Sequence, residues 1–528
     1  MLLTGGHVVD EAGPRRADVL VTGTTIAAVG PGLAFPPSTR RVDCTGRYVV
    51  PGFVDSHSHV DGAVFDEDVQ LALLRQGITS AIAGQDGVSY APGDGAYASS
   101  YFAAVNGAHP TYRGPGVAEL LASYDGATPL NVAYLVPAGT VRHEVMGDAD
   151  GPASPTQLAA MQQLVREGLA DGAVGLSSGL DYTPGLFAGA QEIAALCRPV
   201  AEAGLPYVTH MRGGYEDNSA VGVEEAAAIS EASGVGIHLS HFHTRADEAW
   251  RLMALLKERG IDATFDAYPY TRGCSILGMP LLSPELNAMA PDDAAAALRD
   301  PAVRARLRTE WFPERVVRSA SLGPAWPEMI TIGHAAHPDW AWAHGLTLAD
   351  IAEQRGTDAI EAALDLLADC RLEVNAIMAV RDQRPVSDLG RLVSHPRHVG
   401  GSDGIFIGRH PHPRGRGTFA SYLGVYTRET GHLSWADAVG HLSTRPSRLF
   451  QLGQRGRVTP GWIADLAVID PATVGERADY TTPLLPAVGV DDVLVAGEQV
   501  LAAGRLTGNT PGRGLRAAPT PSTARSSS

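Results

Sequence analysis

Short runs in which apolar and polar residues alternate open the chain. HVVD, ADVLVTG, TIAAVG and RRVDCTGRYVV are punctuated by Gly and Pro and predict a small β-rich unit. The same texture returns near the end in GWIADLAVID, DDVLVAGEQVL and AAGRLTG. Two half-sets of strands at opposite ends of a chain join into one domain with the larger domain inserted between them. Residues 1–50 and 456–516 are therefore expected to form a small β-sandwich domain. Between residues 51 and 455 the rhythm changes. The strand candidates GFVDSHSH, TSAIAG, NVAYLVP, GAVGLSSG, PYVTHMR, GIHLSHF, DATFDAYPY and HVGGSDG alternate with segments of helical spacing such as SPTQLAAMQQLVREGLADG and VGVEEAAAISEASG. Eight such units in roughly 400 residues predict an α/β fold of the (β/α)₈ TIM-barrel type. Residues 279–350, rich in Pro and Trp, break the rhythm and are expected to form a lid over the barrel mouth. The Ser/Thr/Pro/Ala-rich end, 517–528, is expected to be disordered.

Composition supports this division and excludes some functions. With 528 residues, 45% hydrophobic and 19% charged, the chain has core material for one large domain and a smaller one. A formal net charge of −17, with no long basic cluster, argues against a nucleic-acid partner. No apolar run approaches the length of about 18 residues needed to span a membrane, and the N-terminus lacks a signal-peptide pattern. Cys44, Cys197, Cys274 and Cys370 are scattered without CxxC spacing, which fits a reducing compartment; a cytoplasmic location is expected. Oligomeric state is not encoded in any feature.

The chemistry lies at the predicted strand ends. The first barrel strand ends in His57-Ser58-His59, and alternation puts both imidazoles on one face. VTHMR adds His210, HLSHFH adds His241 and VGGSDG adds Asp403, all at the C-terminal rim where barrel enzymes place their reactive groups. The second strand ends in Gln85-Asp86-Gly87, an Asp-Gly turn or a further carboxylate at the same rim. An N/O-rich set of this kind suits Zn²⁺ and tolerates Mn²⁺ or Fe²⁺. With Asp403 as base and then acid, it points to a metal-assisted amide hydrolase. His238 is expected to serve packing. Ser177 and Ser178, lacking a GxSxG elbow, are expected to play backbone or pocket roles rather than act as nucleophiles.

At this level of detail the chain resembles a family. PGFVDSHSHVD is similar to the metal-binding opening of the amidohydrolase superfamily. RHEVMG (142–147), GLSSGLDYTPG (175–185), THMR (209–212), SHFH (240–243), DAYPYTRG (266–273) and SDGIFIGRHPHPRGRGTF (402–419) resemble blocks of the N-acyl-D-amino-acid deacylase (D-aminoacylase) family. The resemblance implies a zinc enzyme with one or two ions that cleaves small-molecule N-acyl amino acids. His210 and His241 would hold the tight ion, and His57 and His59 a second position. Asp403 would be the acid/base, Arg414 the grip on the substrate carboxylate, and Tyr182 and Tyr268 part of the pocket wall.

Two departures from the family qualify this. Asp86 stands where the family places a zinc-binding cysteine, and a carboxylate there can bridge two ions. His243 stands where the family commonly has a carboxylate-binding lysine, leaving Arg272 as the candidate to restore a positive charge. The alternative substrate class, on the same metal site, is a cyclic amide or a dipeptide-like amide, as in dihydroorotase-like and isoaspartyl-type relatives.

Overall fold

The computed structural model describes residues 1–319 and 322–518. Its centre is a parallel barrel. The strands run, in chain order, Phe53–Asp55, Ile78–Ala83, Asn131–Tyr134 continued by Val136–Pro137, Leu176–Gly179, Tyr207–His210, Ile237–Leu239, Ala263–Asp266 and His398–Val399. These are the eight stretches that the hydrophobic pattern marks. Neighbours pair in parallel register, for example Gly179↔His210 and Asp266↔Val399. Closure comes just beyond the ends of the eighth and first strands. Ser56 N donates to Gly400 O (3.0 Å), Asp403 N to His57 O (2.7 Å) and His59 N to Gly404 O (3.0 Å). The closing contacts thus also fix the backbone of the residues expected to carry the chemistry.

Amphipathic helices cover the outside, including Pro155–Ala170, Ala190–Glu202 and Ala246–Glu258. The first of these begins at a reciprocal cap, in which the Ser154 side chain accepts from Gln157 N while the Gln157 side chain accepts from Ser154 N. Strands from both chain ends make two further sheets. One is four-stranded and entirely N-terminal. The other is seven-stranded, and in it Leu466–Ile469 pairs antiparallel with Tyr48–Pro51. Leu3, Val8, Val19, Val49, Leu466 and Leu494 form part of a separate buried core there.

Three boundaries differ from expectation. Gly514–Leu515 does not belong to the small β unit but pairs in parallel with Val132–Ala133 of the third barrel strand. The cause is the break in that strand at Leu135. Only its second half, Val136–Pro137, pairs with the fourth strand, so the edge of the first half is left for the returning chain. Of the expected tail, Ala517 and Ala518 are still anchored, Ala518 N donating to Gln451 O (2.7 Å), and residues 519–528 lie outside the described residues. The interruption of the barrel rhythm is also wider than 279–350. It contains an antiparallel sheet of Arg272–Ile276, Val374–Ala379 and Ile330–Ala335, with a core of its own around Phe312, Trp326, Ile332, Trp340 and Leu367.

Candidate active site

The loop after the second strand sets the centre of the site. Asp86 has φ +54°, a left-handed conformation that Asp tolerates better than most residues. It is held there by a close backbone approach to the fourth strand. A Cβ on Gly179 would lie 2.0 Å from Asp86 O, and one on Gly87 would lie 2.6 Å from Gly179 N. Only glycine fits at either place. Asp403 (φ +49°) and His241 (φ +34°) share this strained backbone class, which concentrates at functional sites.

The side chains of these residues converge. His57 Nε2 lies 3.5 Å from Asp86 Oδ1 and 3.6 Å from Asp403 Oδ1. His59 Nε2 lies 3.6 Å from Asp86 Oδ2 and 3.4 Å from Asp403 Oδ1. On the other side of Asp86, His210 Nδ1 and His241 Nε2 each lie 3.7 Å from one of its oxygens. Two ligand groups result, His57/His59/Asp86/Asp403 and Asp86/His210/His241, and Asp86 is common to both.

These residues fit a metal ion on two grounds. His57 Nε2 and Asp86 Oδ1 are buried with no hydrogen-bond partner, a costly arrangement for polar atoms aimed at one point. The cluster also calls for cationic charge. Burial lowers the affinity of His59 and His210 for protons, yet the carboxylates around them outweigh it. Asp403 and Asp86 raise His59 to about 10, and Asp181 and Asp86 raise His210 to about 10. Burial works against ionised Asp86, but the four imidazoles hold it well below the usual carboxylate range.

A metal ion must displace those protons. Because both imidazoles hold a proton up to about pH 10 in the metal-free fold, zinc affinity is expected to rise with pH between 6 and 9, with proton release on binding. Calorimetry in buffers of different protonation enthalpy measures that release directly. The metal-free fold has the opposite dependence. Its stabilisation from the two protons is complete below the ordinary value of 6.5 and is lost as pH rises through about 10.

The ligands are held from behind by residues that sequence reasoning did not single out. Asp266 Oδ2 lies 3.3 Å from His57 Nδ1 and 2.9 Å from His238 Nε2, while its Oδ1 accepts from His241 N at 2.9 Å. Asp181 Oδ2 lies 3.1 Å from His210 Nε2, and Asn106 Oδ1 lies 3.0 Å from His59 Nδ1. His238 is therefore more than packing, because it ties Asp266 to Thr264 (2.8 Å). Asp266 ends the seventh strand and could have been found by the strand-end rule. Asn106 sits in a short helix and Asp181 beyond a strand, where no pattern marks them. Asp266→Ala and Asp181→Ala are each expected to weaken metal affinity by about 10- to 100-fold, read by competition with a chelator.

Above the ligands lies a cavity of about 270 Å³, lined among others by Asp86, Asp403, Tyr182, Tyr268, His243, Arg272 and Arg414. Arg414 is fully buried. Its Nη1 lies 2.8 Å from Asp403 Oδ2, its Nη2 donates to Cys274 O (3.1 Å), and it stacks 4.5 Å over the Tyr268 ring. Burial alone would neutralise Asp403, but Arg414 and the nearby imidazoles hold it below the ordinary carboxylate range. Tyr182 Oη pairs with Ser275 Oγ (2.7 Å). Arg272, the candidate to restore a positive charge, lines the cavity and stacks 4.2 Å over the Tyr480 ring. The cation beside His243 is Arg384, which follows the inserted sheet. The insertion also supplies apolar wall in Met279, Pro280, Leu322, Met378 and Val380. Ser177 and Ser178 are buried and engaged in hydrogen bonds, Ser177 Oγ donating to Gly84 O (2.5 Å) and Ser178 Oγ pairing with Tyr207 Oη (2.6 Å). No helix among the described residues is long and apolar enough to cross a membrane.

Residues 40–501 match the model of an amidohydrolase family. The chain is 32% identical to an N-acyl-D-glutamate deacylase of Alcaligenes xylosoxydans xylosoxydans, over 98% of this chain and 96% of that one. It is 30% identical to a D-aminoacylase of the same organism, over 98% and 97%. The crystal structure of an N-acyl-D-glutamate deacylase from Bordetella bronchiseptica, complexed with zinc and a phosphonate mimic of the tetrahedral intermediate, superposes with a TM-score of 0.80. Its identity is 31%, with 98% of this chain and 99% of that one covered.

Proposed function

The chain belongs to the amidohydrolase family, and on that premise we propose that it hydrolyses the amide bond of N-acyl-D-amino acids at a zinc site of one or two ions. The observation that carries the reading is Asp86, shared by two ligand groups at the floor of a cavity that also holds Asp403 and Arg414. In this reading His210 and His241, with Asp86, hold one ion, and His57 and His59 serve the second. Zinc held there supplies Lewis acidity and lowers the pKa of a water it binds towards about 7.

The chain's own residues do the rest. Asp403, kept ionised by Arg414, accepts the proton of the attacking water and returns it to the amide nitrogen as the C–N bond breaks. The products are a carboxylic acid and a free amino acid. Burial holds the Tyr182 phenol protonated, so it serves as a donor in the wall beside Ser275. The apolar residues of the insertion offer the acyl chain a dry surface. Arg414, already against Asp403, grips the substrate carboxylate by sharing its guanidinium between the two.

The sequence also argues against a bridging carboxylated lysine. Lys257 is the chain's single lysine and lies on the outer helix Ala246–Glu258, so Asp86 is the residue available to join two ions. The test is a hydrolysis screen with N-acetyl and longer N-acyl derivatives of D- and L-amino acids, with and without added zinc. Zinc-dependent release of D-amino acids supports the reading. Silence across both series, with turnover of cyclic amides, overturns it.

A further inference from the structure

A second cavity, of about 850 Å³, lies at the other end of the barrel. It is built around the starts of four neighbouring strands, where it reaches Pro206, Ile237, Thr264 and Arg397. His210, His241 and Asp403 sit at or beyond the opposite ends of those strands. Three arginines line this cavity, Arg397, Arg445 and Arg448, against two acids, Glu11 and Asp262. Both acids are already engaged: Asp262 pairs with Arg397, and Glu11 lies 3.2 Å from Arg457. Arg445 and Arg448 are left over. They stand three residues apart on the short helix Arg445–Leu449, a spacing that puts both on one face. Neither guanidinium has a hydrogen bond or an ion pair among the described residues. Burial lowers the pKa of Arg445 despite the more distant charges of Asp437 and Glu11, as for a cation that its surroundings do not neutralise. Ala518 N donates to Gln451 O in the wall of the cavity, and residues 519–528 beyond it carry no acidic side chain. Leu205, Pro206, Ile237, Val399 and Leu449 give the cavity an apolar side.

We propose that this cavity is a binding site for a small organic dianion, a phosphate monoester or a dicarboxylate, separate from the catalytic cavity. Arg445 and Arg448 meet its two charges with forked N–H donors, and the apolar side covers its carbon skeleton. Two unpaired cations call for two negative charges, and the planar forks select oxyanions over simple halides. The volume suits a small molecule, while the net charge of −17 repels a long polyanion. An occupant also sits against the support of the metal ligands. Thr264 in this wall lies 2.8 Å from His238 Nδ1, and His238 holds Asp266 behind His57 and His241. The inference does not depend on the deacylase reading, because none of these arginines lines the catalytic cavity.

The experiment titrates the zinc-loaded protein with glycerol 3-phosphate and, separately, with succinate, by calorimetry at constant ionic strength. Arg445→Gln and Arg448→Gln are titrated beside wild type, with zinc content and thermal midpoint measured for each. Wild type is expected to bind at least one probe saturably, and at least one variant to bind it about tenfold more weakly or worse. Binding of glycerol 3-phosphate alone identifies a phosphate monoester as the ligand, and binding of succinate alone a dicarboxylate. Binding of both shows that the site reads the two charges rather than their carrier. Arg448 is exposed, so Arg448→Gln keeps the test open if Arg445→Gln does not fold. Binding of neither probe by wild type overturns the inference. Binding that the variants retain at full strength also overturns it, since it then belongs to the catalytic cavity, where zinc and Arg414 attract the same anions.

Discussion

Asp403→Asn is expected to lower kcat on an N-acyl-D-amino acid by about 10²- to 10⁴-fold while the protein keeps its fold and at least part of its zinc. The amide is nearly isosteric, so the hydrogen bond from Asp403 N to His57 O and the left-handed backbone at this position survive. What is lost is the acceptor for the water proton. Arg414 keeps that acceptor ionised in the native protein, from 2.8 Å and in full burial. An asparagine cannot take a proton, and it also leaves the Arg414 charge buried without its counter-ion. The expected signature is a fall in kcat far larger than any change in KM. A variant with wild-type kcat would remove Asp403 from the reaction.

Asp86→Ala is expected to have a comparable effect by another route, with bound metal and turnover falling together. Without Asp86 one group is reduced to His210 and His241, fewer than the three protein ligands typical of catalytic zinc sites, and the other loses its link to the first. The imidazoles also lose a carboxylate that lies within 3.7 Å of all four of them. Asp86→Cys separates ligation from charge, because a thiolate binds zinc well but does not present two oxygens to two ions. It is expected to retain one tightly held zinc after dialysis. Elemental analysis of the dialysed proteins beside their rates is the measurement. Full metal content with full turnover in Asp86→Ala would place the metal elsewhere.

Much of this site was legible because a parallel barrel ties reactivity to one place on each strand. His57, His59, His210, His241 and Asp403 each end an apolar run, and the apolar runs were the strongest periodic signal in the chain. Asp86 was legible as a carboxylate at a strand end, but its bridging position depends on the contact of Gly87 with Gly179, between residues 92 positions apart. The supporting shell was less visible. Asp266 obeyed the strand-end rule unnoticed, whereas Asn106 and Asp181 act from segments with no periodicity. Arg384 was invisible for a different reason. It reaches His243 across 141 residues of sequence, through an inserted sheet whose Pro- and Trp-rich helices hid its antiparallel strands. Strand pairing between the chain ends was readable from alternation, but the defection of Gly514–Leu515 to the barrel was not, because it follows from a break inside another strand.

That this cluster is a metal site that deacylates N-acyl-D-amino acids is the central proposal. The most direct measurement strips the protein with a chelator and titrates zinc back while following release of the free amino acid from matched N-acyl-D- and N-acyl-L-substrates. The predicted result is an inert stripped enzyme whose activity towards the D-series returns with the first equivalents of zinc. Undiminished turnover by the metal-free protein, or no turnover of either series at any zinc level, would contradict it.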